Sequence, residues 1–205
     1  MTISPQDALA RLQEGNQRFV AGVRSLDAML SHMRRAELAT SQSPCAIVLG
    51  CSDSRAPAEI VFDQGLGDLF VIRVAGNIVA PSQVGSVEFA AERFGTPLVV
   101  VLGHTQCGAI GATLEAMTAR GNNSPNIRSI VDRIRPNIEP LMATNLKNDQ
   151  DALYHAAVRA NVRASANHLR HGSELLERLI QKGTLVVVGA EYSLETGAVD
   201  FFDGV

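Results

Sequence analysis

Four apolar runs constrain the fold more than any other feature of this chain: CAIVLG at 45–50, LFVIRVAG at 69–76, LVVVLG at 98–103 and TLVVVGA at 184–190. They are rich in β-branched residues and nearly continuous, the pattern of strands covered on both faces rather than on one. Segments of helical character separate them: GSVEFAAERFG (85–95), CGAIGATLEAMTA (107–119), DALYHAAVRANVRASANHLR (151–170) and SELLERLIQKG (173–183). Such alternation predicts an α/β fold with a mostly parallel central sheet flanked by helices. The closing YSLETGAVDFFDG alternates around a Glu-Thr-Gly turn and predicts a hairpin at the sheet edge.

Before the first run, SPQDALARLQEGNQRFVAG places Ser4 as N-cap and Pro5 at the first helical position, with Leu9, Leu12, Phe19 and Val20 at helical spacing. LDAMLSHMRRAELATS (26–41) reads as a second helix, with Met29, Leu30, Met33 and Leu38 on one side. The stretch from Asn122 to Asn148, carrying Pro125, Pro136 and Pro140, predicts broken helices. At 205 residues the expectation is a single domain over 1–205, made of an N-terminal helical arm (1–42) and an α/β core (43–205). A formal charge of -3 gives no basic footprint for nucleic acid or an anionic membrane. MTISPQDALARLQEG has neither a basic n-region nor an apolar h-region, and no apolar run reaches membrane-span length, so a soluble, cytoplasmic protein is expected.

The chemistry gathers where two strands end. LGCSDSRAP delivers Cys51, Asp53 and Arg55 after the first run, and VVVLGHTQCGAIGA delivers His104 and Cys107 after the third. Ligands of open parallel sheets bind beyond the carboxyl ends of the strands, so if these two strands are neighbours the side chains converge. Two thiols and an imidazole suit zinc and disfavour magnesium, calcium or manganese. Taken singly, a cysteine at a strand end is more readily a small buried hydrophobe than a ligand. Asp53 and Arg55 weigh against a plain core, since burying either unpaired is costly. Cys45, set among apolar residues, reads as core. Three irregularly spaced cysteines do not make a disulfide framework.

CSDSR after one strand and HTQCG followed by GAI after another resemble the β-class carbonic anhydrases, and the likeness extends through DLFVIRVAGN and GSVEFA over most of the chain. The resemblance implies a zinc lyase interconverting carbon dioxide and bicarbonate, with Cys51, His104 and Cys107 as zinc ligands and Asp53 with Arg55 as catalytic dyad. Asp53 would orient the nucleophilic hydroxide, Arg55 would fix Asp53, and in a closed state Asp53 would become the fourth zinc ligand. Substrate contacts are implied at Gln42, donated across a dimer interface, at the apolar Phe70 and Ala75, and at Phe89, where many relatives carry tyrosine. Gly108 and Gly111 are expected to allow close backbone approach to the metal loop, or to serve helix packing. A homodimer, or a dimer of dimers, is implied. Within one subclass, bicarbonate held by a tryptophan, an arginine and a tyrosine stabilises the closed state; Arg73 and Tyr192 match the last two, but Val48 stands at the tryptophan position. Three other readings share these residues: a carbon disulfide or carbonyl sulfide hydrolase, a non-enzymatic zinc-binding module, and a redox pair of Cys51 with Cys107. No spacing marks His32, His155, His168 or His171 as a proton shuttle.

Overall fold

The computed structural model describes residues 3–118 and 124–205. Its strands are β1 (Ala46–Gly50), β2 (Leu69–Arg73), β3 (Leu98–His104), β4 (Val186–Tyr192) and β5 (Val199–Asp203), in the order β2-β1-β3-β4-β5. The first four pair in parallel and β5 is antiparallel to β4. All residues of β1 and β3 are buried, which is why their sequences show no polar alternation. Strand order reverses between β1 and β3, which pair directly, so the two motif loops leave the sheet side by side at its switch point.

Helices are α1 (Pro5–Val20), α2 (Leu26–Leu30), α3 (Arg35–Leu38), α4 (Ala58–Val61), α5 (Pro81–Arg93), α6 (Gly108–Thr118), α7 (Pro125–Ile138), α8 (Gln150–His171) and α9 (Glu174–Gln181). One face of the sheet, with Val48, Val100 and Val188, packs under Ala8 and Leu12 of α1 and Ala58 and Val61 of α4. The other, with Ile47, Leu49, Val99 and Val101, packs under Val87 and Ala90 of α5, Val162 and Ala166 of α8 and Leu176 of α9. Helix α8 presses so close that a Cβ on Gly103 would lie 2.5 Å from Val162 Cγ2. A third cluster, Ile110, Ile134, Ile138, Ala157 and Val158, closes around Cys51 and Cys107 at the carboxyl end of the sheet.

Several boundaries differ from those read off the sequence. The run at 69–76 leaves the sheet at Arg73, because Ala75–Asn77 forms a tight turn with left-handed backbone at Gly76 (φ 68°) and Asn77 (φ 42°). The helix expected over 26–41 is split into α2, a 3-10 turn over Ser31–Arg34 and α3, and it buries almost none of its apolar residues. Helix α5 starts at Pro81, four residues earlier than expected, since proline suits the first helical turn. The region around 122–148 is a helix, α7, which carries Pro136 internally, and two 3-10 turns. Ala119, Asn122 and Asn123 of those expected segments lie outside the described residues.

The amino-terminal segment is tied down rather than loose. Ser4 caps α1 by accepting from Asp7 N at 3.0 Å. Asn16 donates to Val61 O and Gly197 O and accepts from Val199 N, joining α1 to the terminal hairpin. Asp63, in left-handed backbone and with its side chain fully buried, accepts from Arg18 Nε at 2.7 Å, Arg24 Nε at 2.8 Å and Ser25 N at 2.9 Å. Burial opposes its charge, but those donors outweigh it and hold the carboxyl below its ordinary value. Asp63→Ala is expected to cost about 2–3 kcal/mol in urea unfolding, somewhat under the range for a fully buried pair because both arginines are about a third exposed. The stabilisation is present in full above the unfolded carboxyl value near 3.9 and is lost as the pH falls through the lower folded value. An Asp63→Ala variant as stable as wild type at pH 7 would contradict this role for the contact.

Candidate metal centre

Cys51 is the first residue after β1, His104 the last of β3, and Cys107 stands immediately before α6. All three are buried, and one ligand atom from each lies within 4.8 Å of the others. The two Sγ atoms are 4.0 Å apart; zinc–sulfur bonds of 2.3 Å at the tetrahedral angle would set them about 3.8 Å apart. His104 Nδ1 lies 2.8 Å from Thr105 O. A carbonyl can only accept, so Nδ1 carries the proton and Nε2 presents a lone pair. That Nε2 is buried without any partner. An orphaned imidazole nitrogen beside two thiols fits a soft divalent metal and no ordinary core packing.

The thiol pair supports the same fit. The Cys107 hydrogen bond, working against burial, draws the Cys51 thiol below its ordinary value. The Cys107 thiol is pushed up by that same bond and by its own burial. Two adjacent thiolates therefore need added positive charge, which a divalent cation supplies.

Asp53 and Arg55 follow in the turn. Arg55 grips the carboxylate with two prongs, Nε to Oδ1 at 2.9 Å and an Nη to Oδ2 at 2.7 Å, and its backbone N adds a third bond to Oδ1 at 2.9 Å. This grip, the side-chain bonds above all, holds the Asp53 carboxyl well below the usual carboxylate range. Asp53 Oδ2 stands 3.9 Å from His104 Nε2. Arg73 donates to Cys51 O at 3.1 Å and Asp53 O at 2.5 Å, and Arg55 also reaches Gln106 O at 3.3 Å, so the two loops are braced to each other. Gln106 takes left-handed backbone (φ 55°), which lets the chain turn between His104 and Cys107.

A family model described as carbonic anhydrase matches residues 46–199. The chain is 38% identical over 196 residues to carbonic anhydrase 2 of Mycobacterium tuberculosis, covering 95% of this chain and 91% of that protein. It is 39% identical over 198 residues to the carbonic anhydrase of Mycolicibacterium smegmatis, covering 96% and 93%. The chain belongs to the β-class carbonic anhydrase family. Its fold matches a tetrameric β-carbonic anhydrase of Sordaria macrospora (TM-score 0.75, 21% identity, 96% and 97% of the two chains). A β-carbonic anhydrase of Aspergillus fumigatus matches with TM-score 0.74 at 25% identity, over 98% and 91%.

Not every residue that the family resemblance singles out is brought to the cluster by its own chain. Gln42 sits before β1, towards the opposite end of the sheet, in a groove with Leu66, Gly67 and Phe94. Phe70 pairs in register with Ile47, about 13 Å down the strand from Cys51 at 3.3 Å per residue. Its ring packs at a tilt against Phe89, with centroids 6.3 Å apart, and against Phe94, at 6.2 Å. Ala75 does adjoin the site, in the turn whose Gly76 N lies 3.3 Å from Cys51 Sγ. A Cβ on Gly108 would meet nothing, so within this chain no close approach requires that glycine. Gly111 instead faces Tyr154, whose Oη would lie 3.2 Å from an added Cβ.

Tyr154 was invisible to sequence reasoning: it sits 47 residues from Cys107, yet its hydroxyl donates to Cys107 O. Burial, with the neighbouring Cys107 charge, pushes the phenol up to about 12, so it stays a donor. The Gly76–Asn77 pair carried a usable signal, a Gly-Asn step ending a strand-like run.

Proposed function

We propose that this chain is a zinc-dependent enzyme for the reversible hydration of carbon dioxide, with Cys51, His104 and Cys107 holding the metal and Asp53 and Arg55 serving the reaction. The observation that carries this reading is a buried Cys–His–Cys cluster with an orphaned His104 Nε2 and a clamped carboxylate 3.9 Å from it. When bound, zinc supplies Lewis acidity that brings the ionisation of water from a pKa of about 15.7 towards neutrality. Asp53, kept ionised by Arg55, accepts the hydrogen bond of the attacking oxygen and aims its lone pair. Arg73, by holding the carbonyls of Cys51 and Asp53, keeps the ligand and the orienting carboxylate at a fixed separation. The substrate is neutral and small, so positioning rather than charge pairing carries the specificity.

Stopped-flow carbon dioxide hydration by zinc-loaded protein tests the reading, with carbon disulfide turnover as the competing assay. Hydration should dominate, and absence of hydration would refute the proposal. The pH dependence carries a second expectation. Val48 is wholly buried in the core, and Arg73 is engaged with two backbone carbonyls, so the wall and a donor of a bicarbonate-held closed state are lacking. The rate should therefore rise with pH as a single ionisation, and added bicarbonate should not make the rise cooperative. A multi-proton profile near pH 8 that bicarbonate sharpens would show that Val48 does not remove the switch.

We also assign a homodimer as the working unit. Leu26 (66% exposed), Met29 (59%), Met33 (71%) and Phe89 (54%) leave apolar area that one chain does not cover. Gln42 occupies the same end of the molecule, beside Phe94, which packs on Phe89 at 5.6 Å. Across a dimer, Gln42 would complete the partner's site. Sedimentation at micromolar concentration should return at least twice the chain mass of 21.9 kDa. A stable monomer with full activity would contradict the assignment.

A further inference from the structure

We infer that Asn161 is a positioning residue for the metal centre, acting through the backbone of Gly76 to set the hydrogen bond that the Cys51 sulfur receives. The chain of contacts is continuous. Asn137 Nδ2 on α7 donates to Asn161 Oδ1 at 3.1 Å. Asn161 Nδ2 on α8 donates to Gly76 O at 2.8 Å, and Gly76 N donates to Cys51 Sγ at 3.3 Å. Asn161 is 85 residues from Gly76 and almost wholly buried, so its amide is committed to this task.

The turn needs such a hold. Gly76 and Asn77 are consecutive left-handed residues (φ 68° and 42°), a conformation that persists only where the surroundings over-determine it. Two side chains of α8, one helical turn apart, supply the constraint: Asn161 on Gly76 O, and Ser165, whose Oγ donates to Asn77 O at 3.1 Å. Packing closes the other side, since a Cβ on Gly76 would lie 2.7 Å from Ile134 Cδ1 and 2.9 Å from Ala109 Cβ. The carbonyl of Gly76 is held by Asn161 and its Cα is packed against Ile134 and Ala109, so rotation about φ and ψ of Gly76 is restrained, and with it the direction in which the N–H meets the sulfur. A hydrogen bond to a metal-bound thiolate draws charge from it and lowers what it gives the metal. In a site with two thiolates, that restraint keeps the cation a stronger Lewis acid.

The inference rests on the proposed metal centre, and cobalt substitution separates the two. The cobalt-loaded wild type should show thiolate-to-metal charge-transfer absorption. Asn161→Asp keeps the side-chain shape but removes the donor to Gly76 O. It should move that absorption to longer wavelength, as the thiolate becomes the stronger donor, and yet weaken zinc binding about 10- to 100-fold in competition with a chelator, because the turn that presets the ligand is no longer held. Asn137→Ala cuts the outer link at a half-exposed position and should shift the band the same way by less; it carries the test if Asn161→Asp does not fold. Val162→Ala, a fully buried neighbour on α8 with no polar role, is the comparison for general loosening and should leave the band in place. An unmoved band in the Asn161 and Asn137 variants, or an equal shift in Val162→Ala, overturns the role of Asn161. Absence of any thiolate band in wild type overturns the metal centre itself, and this inference with it.

Discussion

Wild type is expected to bind one zinc per chain, and Cys51→Ser and His104→Ala are each expected to lose most of it, and hydration activity with it. The magnitude follows from what each change leaves behind. A serine hydroxyl cannot replace a thiolate towards a soft cation. His104→Ala removes the one nitrogen in the cluster and opens a void where a buried ring stood. Metal content by mass spectrometry on desalted protein reads the effect, alongside a thermal melt. Because ligand binding contributes to folded-state stability, the zinc-loaded wild type should melt higher than either variant, and the chelator-treated wild type should fall towards them. Equal zinc in wild type and both variants would remove the assignment.

How far the sequence alone led depends on the reach of each interaction. Strands β1 and β3 were readable because burial on both faces forces near-continuous apolar runs, and the motif residues sit directly at their ends. Their convergence required only that the two strands be neighbours, which the right-handed, parallel logic of such sheets favours. Boundaries were read less well wherever a local backbone decision overrode the pattern: the left-handed turn at Gly76 and Asn77 ended β2 early, and the segment from Leu26 broke into short pieces. Apolar residues there, such as Met29 and Met33, follow helical spacing without a core to face in this chain. The partners that brace the site were not readable at all. Tyr154 and Asn161 come from a helix that packs over the site from far along the chain, and no spacing rule links them to Cys107 or Gly76.

Asp53→Asn and Arg55→Ala are expected to keep zinc but to lower the hydration rate by at least ~10²-fold, the scale on which a positioned proton-handling group contributes. Asparagine preserves the shape of Asp53 but replaces one acceptor oxygen with an NH₂ donor, so it would meet Arg55 donor to donor and could point its amide hydrogens at the attacking oxygen. Arg55→Ala acts differently. It removes both side-chain bonds at 2.7 and 2.9 Å, leaving the carboxylate only its bond from the backbone N of residue 55. The freed Asp53 Oδ2, 3.9 Å from His104 Nε2, would then be free to turn towards the cluster and could serve as a further ligand to a bound zinc. The two variants should therefore diverge with pH. Arg55→Ala should regain nothing as pH rises, because the carboxylate that blocks the site stays ionised throughout the neutral range. Asp53→Asn cannot close the site in that way and should retain a small, pH-dependent rate. Arg55→Lys should not restore wild-type activity, since an ammonium offers a point charge where the guanidinium offers a planar two-pronged fit. Full activity in Asp53→Asn or Arg55→Ala, with zinc retained, would show that the dyad does not orient the reaction.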